Sequence, residues 1–135
     1  MNRTELLAKV EELRALRARR LTVMQRLVAV ERERAETKAT LEREAKAFLL
    51  KLTDEIYAVE GNRQRAEAKA KQEPEYLQWV QRIEAADTSF QQGIDGLQRE
   101  LEEIGIALEC LRWELQIWTT ADAEDPAFSI PGAEV

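Results

Sequence analysis

From Tyr76 to Trp118 the chain keeps an unbroken rhythm of fours and threes through Tyr76, Val80, Ile83, Asp87, Phe90, Ile94, Leu97, Leu101, Ile104, Leu108, Leu111, Leu115 and Trp118. Twelve of these thirteen positions are apolar. Alternating spacings of three and four keep one face of a helix turned toward a neighbouring helix, whereas a strand would need its apolar side chains at every second residue. The pattern predicts one helix from Pro74 to Thr119, roughly 70 Å long at 1.5 Å per residue. A seam of that length needs another helix to cover it. The fold expected is therefore all-α, with long helices forming a coiled-coil-like hairpin or bundle, in an oligomer. Asp87 interrupts the seam, and a carboxylate there must meet a basic partner, reach water or mark a local opening.

Upstream, Asn2 and Glu5 have the spacing of a capping box, which predicts a first long helix within residues 1–60. Leu6, Val10 and Leu13 begin its apolar stripe. Leu16, Val23, Leu27 and Val30, with Leu21, Met24 and Val28, make it broad enough for more than one neighbour. Between Glu31 and Lys46 only Leu41 is a large apolar side chain, so this stretch is expected to be largely solvated. Gly61-Asn62 has the chemistry of a helix end. Residues 61–73 then form an Ala-rich basic connector with no large apolar residue, whose helicity must depend on flanking packing or a negative partner. Pro74 suits the first turn of the helix that follows. After residue 119 the chain turns acidic and carries prolines, and residues 120–135 are read as a flexible acidic tail in which Phe128 and Ile130 could serve as a short docking peptide.

Composition removes most of the usual chemistry. There is no histidine and a single cysteine, Cys110. The commonest general base and metal ligand are thus missing, along with any internal disulfide. The five glycines, at 61, 93, 96, 105 and 132, form no phosphate loop or dinucleotide fingerprint. The expectation is no enzyme activity, no metal and no cofactor. The charged start of the chain is no secretory signal, and no run of about 18 apolar residues exists. A cytoplasmic protein without a membrane association is expected.

What remains is charge and apolar surface. Residues 1–50 carry 12 basic and 8 acidic side chains, and the rest of the chain carries 8 and 18. Arg14, Arg17, Arg19 and Arg20 make one basic cluster, and Arg63, Arg65, Lys69 and Lys71 make another. Either can lie along a phosphate backbone without sequence preference, although such clusters are more often ordinary solvated helix faces. A second apolar stripe, Ile106, Cys110, Trp113 and Ile117, lies opposite the main seam. Two apolar faces imply two neighbours, which favours a bundle or a higher-order ring over a dimer.

The connector from Asn62 to Lys71, then Pro74-Glu75-Tyr76, then a long helix ending Leu108-Glu109-Cys110-Leu111-Arg112-Trp113, resembles the UvsY-type recombination mediators of phages over roughly half the chain. The resemblance implies a homo-oligomeric ring that binds single-stranded DNA nonspecifically and helps load a recombinase onto DNA covered by a single-strand-binding protein. In that picture Arg63, Arg65, Lys69 and Lys71 hold phosphates, with Arg14, Arg17, Arg19 and Arg20 as further contacts. Leu97, Leu101, Ile104, Leu108, Leu111, Leu115 and Trp118, with Trp113, assemble the ring. The competing reading is a structural or adaptor coiled coil, such as a phage scaffold, chaperone or inhibitor, that meets only proteins.

Overall fold

The computed structural model describes residues 2–123, and over them the chain is all-helical: α1 is Arg3–Glu60, α2 Arg63–Gln72 and α3 Pro74–Ala123. The acidic tail and its Phe128 and Ile130 lie outside the described residues. Local chemistry explains each boundary. At the start of α1, the Glu5 amide donates to Asn2 Oδ1 at 2.8 Å and the Asn2 amide donates to Glu5 Oε2 at 3.2 Å, which satisfies two amides that the helix itself leaves open. At its end, Gly61 takes φ of 68° and donates to the Tyr57 carbonyl at 2.9 Å. A side chain at Gly61 would be strained by that backbone even though open space surrounds it. Asn62 then caps α2 by accepting the Arg65 amide. Glu73 is extended, as the residue before a proline must usually be, and Pro74 opens α3.

The chain divides into two compact units whose boundaries fall within α1 and α3. The terminal unit joins Met1–Arg26 to Leu97–Val135, and the central unit is Leu27–Gly96. In the terminal unit the two helices run antiparallel, since Lys9 meets Glu114 at 3.1 Å and Arg19 meets Glu100 at 2.7 Å. Its core is Val23, Ile104 and Leu108, with Leu13, Leu16, Leu97 and Leu101 packed against it. Ile104 and Leu108 are each only 3% exposed, and burying a leucine or isoleucine side chain to this extent contributes about 2 kcal/mol.

In the central unit α1 and α3 again run antiparallel, with Arg34 on Asp87 and the Phe48 ring 6.3 Å from that of Trp79. Ala45, Thr53 and Ile94 are buried here, and the Thr53 hydroxyl donates to the Leu49 carbonyl at 2.7 Å. α2 folds back beside the end of α1. Ala66 and Ala70, one helical turn apart, are fully buried. The connector lacks large apolar side chains, yet it does have a packing face made of methyl groups.

All thirteen positions of the α3 seam are buried or half-buried. The α1 stretch from residue 31 to 46 is mostly exposed, as its composition suggests, but Arg34, Thr37, Leu41 and Ala45 turn inward along one line. Gly93, Gly96 and Gly105 do not mark close helix approach, because a Cβ added at any of them would meet nothing within 4 Å.

Candidate functional site: two basic clusters and an exposed stripe

The connector cations face acids of their own chain. Arg63 pairs with Asp54 at 3.2 Å and stands 5.9 Å over the Tyr57 ring, Lys69 pairs with Glu60, and Lys71 pairs with Glu67 at 3.4 Å one turn away. The Lys69 hydrogen bond, followed by its charge, holds the Glu60 carboxyl below the usual carboxylate range, and the charge of Arg65 adds to this. Three of the four cations expected to hold phosphates therefore already have a carboxylate. The Arg63 and Lys71 pairs are exposed to solvent, so they are weak and exchangeable, while the Glu60 carboxylate of the Lys69 pair is half-buried.

The α1 cluster is dispersed around its helix. Arg14 pairs with Glu11 at 3.1 Å, and Arg19 reaches across to Glu100 through Nε and Nη2 at 3.2 and 2.7 Å. Arg20 lines a surface notch with Gly105, Leu108, Glu109 and Arg112. Arg17 is exposed and makes no ion pair within 4 Å among the described residues. Arg14, Arg17 and Arg20 follow one another at spacings of three while Arg19 lies apart, and Arg14 and Arg17 share a face with exposed Leu21 and Met24.

The side chains expected to assemble a ring divide in an unexpected way. Leu97, Leu101, Ile104 and Leu108 pack on α1 of the same chain, Leu111 is buried, and Leu115 and Trp118 are half-buried. Trp113 alone of the eight points outward, 59% exposed. Beside it on the same face stand Ile106 at 64% and Ile117 at 62%, with Cys110 also exposed. The main seam is thus covered from within the chain, and the second stripe is the apolar surface of α3 left open in this unit.

One constellation escaped the sequence reading. Arg34 donates from Nε and Nη2 to the two oxygens of Asp87 at 2.7 and 2.9 Å and from Nη1 to Gln91 Oε1 at 2.6 Å. Gln91 in turn donates to Asp95 at 2.8 Å. Both charged side chains are partly sheltered, at 29% and 36% exposure. The Arg34 hydrogen bonds hold the Asp87 carboxyl below its ordinary range against the opposing effect of desolvation, with the charges of Arg34 and Lys38 helping. The basic partner that Asp87 required is Arg34. Counting sevens from Leu27 through Arg34 to Leu41 and Phe48, all half-buried, would have placed Arg34 on the inward line.

Among the described residues no group of three or more histidine, cysteine or acidic side chains is arranged to hold a metal ion, and no helix is long and apolar enough to cross a membrane. Fold and surface together define an antiparallel helical protein with a satisfied internal seam and an open outer stripe. No protein-family model, curated protein or solved structure matches the chain.

Proposed function

We propose that this chain is a helical adaptor, not a catalyst, and that it works through protein contacts, its own copies included, made by the outer face of α3. The observation that carries this reading is the exposure of Ile106, Trp113 and Ile117 at helical spacing on a helix whose other face is already covered. Three large apolar side chains aligned on one solvated face cost solubility unless a partner covers them, and aromatic residues dominate the energy of such contacts. A photo-crosslinking amino acid at position 113 is expected to yield discrete protein adducts that survive nuclease treatment. The same group at exposed Glu84 should yield none.

A second reading follows the resemblance to recombination mediators: binding of single-stranded DNA, with a recombinase and a single-strand-binding protein as further partners. What favours it is the notch where Arg20 and Arg112 stand together with Glu109 as the only acid lining it, a geometry able to take a phosphate. It predicts salt-sensitive binding of oligonucleotides that weakens when Arg17, Arg20 and Arg112 become alanine. Absence of adducts at position 113, together with such binding, would hand the function to this second reading.

A further inference from the structure

Within the terminal unit the two helices carry opposite charge. Residues 3–26 of α1 hold seven basic and three acidic side chains, whereas residues 97–119 of α3 hold two basic and five acidic ones. Internal pairing absorbs part of this through Lys9 with Glu114, Arg19 with Glu100 and Arg14 with Glu11. What remains is still polarised. Among the described residues, Arg3, Arg17, Arg20 and Arg26 on α1 make no ion pair within 4 Å, against Glu5 alone of its acids, while on α3 the unpaired Glu102, Glu103 and Glu109 outnumber the unpaired Arg99 and Arg112.

The polarised surfaces coincide with apolar ones. On α1, Arg14, Arg17, Leu21 and Met24 follow spacings of three, four and three, so they share one face, where Leu21 is 58% and Met24 46% exposed. On α3, Glu103, Ile106, Cys110, Trp113 and Ile117 follow the same rhythm. Each stripe has the spacing of a coiled-coil seam and neither has a helix on it within this unit. With Arg17 set opposite Glu103 in the parallel sense, Met24 falls opposite Cys110 and Leu21 opposite Ala107, beside Ile106.

We propose that the occupant of the α3 stripe is a second copy of this chain, which presents the basic, apolar face of its own α1. This deepens the adaptor reading and rests on it. The contact joins two different surfaces, so it is heterologous, and each copy offers one face of each kind. Such contacts propagate into a ring or an open chain and do not stop at a pair. Opposite charges steer the two faces together and discourage α3 from pairing with α3, where acids would meet acids.

Sedimentation of the full chain tests the idea. The wild type is expected to form species larger than dimers at about 50 µM and low salt, weakening about tenfold when 0.5 M salt screens the surface charges. Arg17→Glu should weaken association about tenfold, and Arg17→Glu combined with Glu103→Arg should restore it. Leu21→Glu and Trp113→Glu should each block growth alone. Mixed in equal amounts they should give a dimer that stops, since each retains the face its partner needs. Alkylation of Cys110 should slow as wild-type concentration rises.

All of these substitutions lie on exposed positions, so helical content and melting should stay near wild type, which separates lost docking from lost folding. Monomers at 50 µM, association indifferent to Arg17→Glu, or Cys110 protection that does not depend on concentration would each overturn the proposal. Adducts at position 113 made only with a different protein would overturn it while leaving the adaptor reading intact. No protein adduct of any kind at that position would remove both.

Discussion

The terminal and central units use the same antiparallel pairing of α1 with α3 but hold it with different chemistry. The terminal unit closes on Val23, Ile104 and Leu108 inside a ring of leucines. The central unit places Arg34, Asp87 and Gln91 among its inward-facing residues and adds a short helix whose packing face is two alanines. Apolar contact is indifferent to pH and strengthens with area, whereas a sheltered ion pair must first overcome desolvation. The comparison shows that one heptad pattern can supply adhesion in one place and charge recognition in another.

The largest expected effect comes from cutting the apolar core. Leu108→Ala should lower unfolding free energy by about 2–4 kcal/mol, measured by urea titration, because it removes a buried side chain from a thin core with few neighbours able to close the gap. A loss below about 1 kcal/mol would mean that the terminal unit is held by something other than this cluster.

A smaller loss should follow from breaking the polar layer. Asp87→Ala and Arg34→Ala should each lower the urea midpoint, less than Leu108→Ala does, since each leaves a sheltered charge without its partner. Replacing both with leucine should recover much of the loss, and a double-substitution cycle that shows no coupling would contradict the bidentate contact. The same pair sets a pH dependence. Asp87 titrates below its ordinary value of 3.8 in the folded chain, so its contribution is fully present above that value and disappears as pH falls through the depressed one. Glu60, held down by Lys69, acts in the same direction. Melting between about pH 5 and pH 2 should therefore fall more steeply for the wild type than for Asp87→Asn.

The smallest effect runs the other way. Gly93→Ala and Gly96→Ala should each raise stability by about 0.5–1 kcal/mol, because the added methyl meets open space and the unfolded chain loses freedom. A loss at either position would show that the glycine is needed for a contact absent from the isolated chain.

Much of the fold was legible in the sequence. The helix ends follow from Asn2, Gly61-Asn62 and Pro74, and every position of the α3 seam faces inward, because local capping chemistry and periodicity are properties of neighbouring residues. The partner of that seam was not legible, since a leucine stripe fits a sister chain as well as the same chain folded back. Arg34 was hidden for a related reason: a reading that follows only apolar residues passes over a charged one on the same line. The acids that Arg63 and Lys69 meet were not legible either, because Asp54 and Glu60 lie in the preceding helix, across the turn at Gly61.

The Arg34 contact also decides how α1 and α3 can be placed lengthwise in the central unit. A slide of one heptad would set the guanidinium against Val80 or Ile94 and the carboxylate against Leu27 or Leu41, burying each charge beside hydrocarbon. Repeating leucines tolerate such a slide at little cost. A single tooth of opposite charges makes the neighbouring notches of the ratchet unusable, so the two helices have one position in which to rest.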